Sequence, residues 1–272
     1  MRIALGVEYD GNAFRGWQTQ PGRGTVQDEL EEALARIAGQ PISVVCAGRT
    51  DAGVHATGQV VHFDTNANRP LTAWVRGVNT FLPPAVAVRW AYPVSEAFHA
   101  RFSAYGRCYR YLLINRAQRP GVWHGRAGWY HHPLDEKAMQ HAADLLLGEH
   151  DFSCFRAADC QAKSPIKLVR YAKVRRFGDM LVFDFEAGAF LHHMVRNMVG
   201  SLVYVGQGKC RRDGLGNCWL LEIARRQLRH FPRRACIWSV CVTRVTGSCR
   251  LRMSPFCRGR QFFEGHKLCV HE

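Results

Sequence analysis

No run in this chain approaches the roughly 20 apolar residues needed to cross a bilayer, and residues 2–9 alternate like a strand instead of forming a charged-then-apolar leader. These two absences lead to the expectation of a soluble cytoplasmic protein. There is no C-x-x-C among the 11 cysteines, which leaves a structural zinc site little support. An odd cysteine count without a leader argues against a disulfide framework. Acidic residues are few: 22 Asp and Glu face 37 Lys and Arg, for a net charge of +15. A folded chain this basic is suited to a polyanion, because Lys and Arg release counterions from phosphates.

The excess charge and cysteine are unevenly placed. Residues 210–272 hold 12 Arg and 1 Lys against 4 acids, or +9 of the total, together with 7 of the 11 cysteines. The body of the chain is therefore only mildly basic. With 47% hydrophobic and 11% aromatic residues, it has enough apolar material for a large core.

Periodicity predicts a strand over residues 2–9, then a glycine-rich loop over 10–24 that carries Arg15, Trp17 and Arg23. Thr25 followed three residues later by Asp28 reads as a capping box. Val26, Leu30, Leu34 and Ile37 form the apolar stripe of the helix it opens, and Gly39 ends that helix. Strands follow over 42–47, 59–64 and 86–92, with a helix over 71–81 and a polar loop over 48–57. After residue 104 the theme returns. A strand is expected over 107–115, a helix over 134–147, and strands over 168–177 and 180–187 around a Gly178-Asp179 turn. A last helix presents Leu191, Val195, Met198 and Leu202 on one face. Mixed strands and helices with hairpin-like neighbours indicate an α+β fold with antiparallel sheets. The expected organisation is 1–104, 105–209 and a divergent tail over 210–272.

The loop Gly48-Arg49-Thr50-Asp51-Ala52-Gly53-Val54-His55 places one acid and one base in a tight turn bracketed by glycines. Spacing alone leaves two readings open, an Asx-type turn or a reactive carboxylate. The wider run GRTDAGVHATGQVVHF resembles the signature of the tRNA pseudouridine synthase A family. So do EYDG at 8–11, GWQ at 16–18, FHARFSA at 98–104, YRY at 109–111, GEHDFSCFR at 148–156 and HHMVRNMVGSL at 192–202. Their order and spacing are also the family's, and together they span residues 2 to about 209.

The resemblance implies two similar α/β halves, each on an antiparallel sheet, with a basic RNA-binding cleft between them: the pseudouridine synthase fold. It implies a homodimer that grips an L-shaped tRNA. The implied reaction isomerises uridine to pseudouridine at positions 38, 39 and 40 of the anticodon arm, with no cofactor and no metal. By motif position Asp51 matches the nucleophile, Tyr109 the residue packed against the target uracil, and Arg49 and Arg196 the cations that hold the flipped nucleotide. Arg15, Arg23, His55, Arg101 and Lys167 are candidates for phosphate contacts. His192 and His193 invite a metal reading, but neighbours on a helix point in different directions, so helix packing is expected of them. Two other readings stay open at this point, a non-catalytic RNA-binding module and an inactive degenerate homologue.

Past Lys209 the family pattern stops. Residues 221–238, back-translated and read two nucleotides out of phase, permit Arg-Asp-Arg-Ala-x-x-Ala-Pro-Thr-Phe-Pro-Ala-Ala-Gly-Leu-Tyr-Leu, the missing family segment. A frameshift between about Lys209 and Leu221 is the expected cause. If the tail is genuine, the second half should lack one sheet strand and expose an unpaired edge.

Overall fold

The computed structural model describes residues 1–158 and 160–208, and the backbone of 236–241. The expected frame change and the rest of the tail lie outside these residues. In the first half the elements are β1 (Arg2–Tyr9), α1 (Val26–Ala38), β2 (Val45–Cys46), β3 (His55–Asp64), α2 (Val78–Phe81) and β4 (Val86–Val94). The second half contains β5 (Gly106–Asn115), β6 (Gly128–Tyr130), α3 (Glu136–Asp144), β7 (Gly148–Asp151), β8 (Ile166–Phe177), β9 (Met180–Ala187) and α4 (Met194–Gly206). The last strand, β10, is Cys236–Cys241.

The strands join into one sheet of order β4-β1-β3-β10-β5-β9-β8-β7, with β2 paired to β3 and β6 to β5. Within each half the principal pairings are antiparallel, as expected: β4-β1-β3 on one side and β5-β9-β8-β7 on the other. The halves are continuous through β10, which runs parallel to β3 and antiparallel to β5. The expectation of a missing strand and a bare edge is thereby corrected. Residues 236–241 occupy the seam and take up the backbone groups of β3 and β5 that would otherwise lack partners.

Local chemistry accounts for several boundaries. Thr25 accepts from the Asp28 amide, and the Asp28 carboxylate receives the Thr25 amide at 3.1 Å and hydroxyl at 2.6 Å, so α1 opens on a full capping box. Gly39 closes it in the left-handed region at φ 70°. Val26, Leu30 and Leu34 are buried, and α1 lies against α2. Three expected elements change extent. The 42–47 strand shrinks to β2. The 134–147 helix is trimmed to α3, which opens on Asp135 as its cap. β3 starts at His55, four residues early, so His55 belongs to a strand and not to the loop.

The core runs beneath the whole sheet. Trp17, Phe63 and Trp74 fill it in the first half, and Tyr111, Phe152, Phe183 and Phe185 in the second. Asp184 is buried on β9 and receives both Arg110 (2.6 and 3.0 Å) and Arg175, a compensated internal charge.

Candidate active site

The Asp51 loop is clamped from below by the glycine-rich loop. The Trp17 amide donates to Thr50 O at 3.0 Å, the Gly53 amide donates to Gly11 O at 3.1 Å, and the Tyr9 hydroxyl meets Thr50 Oγ1 at 2.7 Å. Burial pushes the Tyr9 phenol well above its ordinary pKa, which keeps it a neutral partner. Gly16 sits at φ 98°, and a Cβ there would lie 3.0 Å from Thr50 O and 3.1 Å from the Ala52 amide nitrogen. Only glycine permits that approach. Gln59 Nε2 donates to Gly48 O at 2.8 Å from the side of β3.

A second segment arrives from the other half. Residues 188–193 connect β9 to α4, and His193 is the N-cap residue of α4, held in the left-handed region at φ 62°. The Ala157 amide donates to His192 O at 3.1 Å, and the Asn197 amide to His193 O at 3.0 Å. Asn197 Nδ2 donates to Phe155 O at 2.8 Å. These bonds fix the turn, and both imidazoles converge on Asp51. His192 Nε2 lies 3.2 Å from Oδ1, and His193 Nε2 lies 3.5 Å from Oδ2. The rings are 3.9 Å apart centre to centre. The expectation that adjacent histidines diverge is overturned, because neither occupies a helical position and the left-handed turn at His193 brings the rings together.

The carboxylate therefore sits where the halves meet, with its side chain 30% exposed. The His192 ring is at hydrogen-bonding distance from one carboxylate oxygen, and the His193 ring stands beside the other. The N-terminus of α4 adds its partial positive charge beside Asp51. Arg196 is on the first turn of α4, three residues past the cap, and is half-buried. Arg49 is exposed, two residues before Asp51. Burial pushes the Cys46 thiol up to about 11 against the pull of the Arg49 and Arg101 charges, which places both cations around the base of the loop.

Tyr109 is on β5, half-buried, edge-on to Phe190 at 5.0 Å. Register aligns Tyr109 with Trp238 and Trp238 with Ala56, so Tyr109 stands two strand spacings, about 10 Å, from the start of β3. Of the phosphate candidates, Arg15, Arg23 and Arg101 are exposed. Arg15 and Arg23 share the loop beneath Asp51, and Arg101 is in the connector between the halves. Arg23 also pairs with Glu32 at 3.6 Å. His55 turns inward, its Nδ1 3.0 Å from Asp10 Oδ1. Lys167 is apart from the group. It is on β8, beyond β5 and β9 from the seam, with its ammonium on the carbonyls of Ser164 and Ile166.

Sequence reasoning missed Arg107. Its guanidinium donates to Ala47 O (2.9 Å), Arg101 O (3.0 Å), Ala104 O (3.4 Å) and Gly188 O (2.6 Å). One side chain thus ties together the entrance to the Asp51 loop, the connector and the start of the histidine segment. Burial lowers its pKa from the ordinary value. Phe190, the partner of Tyr109, was also missed; it lies in the connection between β9 and α4, where no periodic signal marks it.

No helix among the described residues is long and apolar enough to cross a membrane. The sequence model of the family described as tRNA pseudouridine synthase matches residues 6–103 and 142–231, more than half of the chain and some way past Lys209. The chain is 68% identical over 213 residues to tRNA pseudouridine synthase A of Dechloromonas aromatica, covering 78% of this chain and 81% of that one. It is 62% identical over 209 residues to the protein of the same name from Methylobacillus flagellatus, covering 77% and 80%. With that of Aromatoleum aromaticum it shares 59% over 223 residues, covering 82% and 83%. On the strength of these matches, the chain belongs to the tRNA pseudouridine synthase family.

Proposed function

We propose that this chain isomerises uridine to pseudouridine in tRNA, at positions 38, 39 and 40 of the anticodon arm, with Asp51 as the catalytic carboxylate. The observation that carries the reading is the setting of Asp51: an acid at the junction of the halves, with His192, His193 and the start of α4 gathered around it. The reaction breaks the N1–C1′ bond, turns the base, and forms a C5–C1′ bond. A proton leaves C5 and one is gained at N1, so substrate and product have the same atoms. A fixed carboxylate can serve as the nucleophile that holds the two fragments.

The target base must leave its stack, at a cost of a few kcal/mol, and an everted base needs an aromatic platform. Tyr109, edge-on to Phe190, takes that role in this reading. Arg196 and Arg49 hold the flipped nucleotide through its phosphates. Arg15, Arg23 and Arg101 are exposed cations available to the phosphates, and residues 1–209 hold +6 of the net charge of +15. The same reading takes the enzyme as a cytoplasmic homodimer with two structural halves, divided near residue 104, and a tail that departs from the family after a shift of frame.

The test is Asp51→Asn on unmodified tRNA. Pseudouridine formation falls by roughly a thousandfold or more, while tRNA binding stays within about threefold of wild type by filter retention. Product at the wild-type rate would remove Asp51 from the chemistry.

A further inference from the structure

We propose that Asp51, His192 and His193 form a binding site for a transition-metal dication of the Zn²⁺ class, and that its occupation silences the enzyme. The silencing rests on the function proposed above; the binding does not. One ligand atom from each residue lies within 4.8 Å of the other two. Tetrahedral zinc with bonds of about 2.0–2.1 Å keeps its ligand atoms about 3.3–3.4 Å apart. The imidazole-to-carboxylate separations, 3.2 Å to Oδ1 and 3.5 Å to Oδ2, are close to that value. A metal ion can enter this triad with only small side-chain movement.

The donors are also anchored. Asp51 is in a loop held by Trp17, Gly11 and Tyr9, while His192 and His193 are pinned by Ala157 and Asn197. Two imidazoles and one carboxylate with a fourth position open is a donor set that zinc accepts. Mg²⁺ and Ca²⁺ prefer oxygen ligands throughout, so the set discriminates against them. Arg49, Arg196 and the positive end of α4 oppose a dication. The site is accordingly weaker than a structural zinc site and reversible. A metal on the carboxylate engages the oxygens that would attack the nucleotide, so the ion and the reaction compete for one group.

The experiment uses the full chain, stripped with EDTA and exchanged into metal-free buffer. Zn²⁺ is titrated against a chromophoric chelator, and Co²⁺ is followed by visible absorption. Because 11 cysteines can also bind metal, wild type is compared with the double variant His192→Gln/His193→Gln, its fold checked by circular dichroism. The expected result is one more equivalent bound by wild type. Co²⁺ in that equivalent shows tetrahedral visible bands without thiolate charge transfer. Should the double variant fail to fold, His193→Gln alone weakens that equivalent by at least about tenfold. Equal binding by wild type and variant overturns the site. In the activity arm, that equivalent of Zn²⁺ lowers the isomerisation rate at least about tenfold, and EDTA restores it. An undiminished rate with the site filled overturns the silencing. A chain inactive in EDTA defeats the function proposed above, while the binding comparison still decides the site.

Discussion

Replacing Arg107 with Met removes the guanidinium but keeps an unbranched apolar stem of similar reach. Four carbonyls lose a donor: Gly188 at 2.6 Å, Ala47 at 2.9 Å, Arg101 at 3.0 Å and Ala104 at 3.4 Å. A hydrogen bond from a charged donor is worth about 1.5–3 kcal/mol net. The longest bond contributes little, and the three short ones share one group and do not add in full. Against the loss stands relief from burying a cation whose four acceptors named above are neutral carbonyls. A net destabilisation of about 3 kcal/mol follows, which for a chain of this size lowers the melting temperature by roughly 6–12 °C. The kinetic effect should be larger than a stability defect alone produces. Arg107 spaces the Asp51 loop from the histidine segment, and a misplacement of about 1 Å at reacting groups costs about a hundredfold in rate. Single-turnover pseudouridine formation, measured well below the melting transition, should fall about a hundredfold in kcat with KM within about threefold. Arg107→Lys, able to satisfy two of the carbonyls, should recover part of both losses. A Met variant with wild-type melting and wild-type kcat would refute the role.

Two further outcomes concern stability. His62 is buried on β3, and its Nδ1 accepts from the Ala100 amide at 3.1 Å; burial, with Arg2 and His99 nearby, lowers its pKa to about 4. Between about pH 6.5 and 4 the unfolded chain binds a proton that the folded chain does not, so stability falls with acidification by up to about 1.4 kcal/mol per pH unit. Urea midpoints measured across that window should converge for wild type and His62→Gln as pH drops, and parallel curves would contradict this. Thr25→Ala removes the hydroxyl that accepts from the Asp28 amide and donates to its carboxylate, leaving only the backbone arm of the α1 capping box, and should cost about 1 kcal/mol, a shift of roughly 2–4 °C in a melting curve; an unchanged melt would show that the Thr25 side chain contributes nothing to the cap.

Much of the architecture was legible because its signals are local. Thr25 and Asp28 announce the cap, Gly39 the stop, and Gly178-Asp179 the hairpin between β8 and β9. Spacing alone leaves Asp51 open between an Asx-type turn and a reactive carboxylate, and it is the resemblance carried by the wider run GRTDAGVHATGQVVHF that singles it out. The readings that failed depend on contacts between residues far apart in the chain. Convergence of His192 and His193 requires a left-handed residue at 193, and histidine does not announce φ 62°. Arg107 looks like an alternating strand charge until Ala47 and Gly188 are seen beneath it. β6 and β7 are three and four residues long, too short to show a period. β10 lies in a segment whose composition gives no hint of a place at the centre of a sheet.

That central place has a bearing on how the molecule is made. Residue 55 pairs with residue 237, so the stitch between the halves leaves the ribosome long after the strands it joins. At about 5–20 residues per second, on the order of ten seconds separate the emergence of β5 from that of β10. During that interval two naked strand borders face one another with nothing to zip them, a state open to mispairing with other nascent chains. Asp51 and the two histidines come from opposite sides of the stitch, so the strand that joins the halves also bears on how they meet.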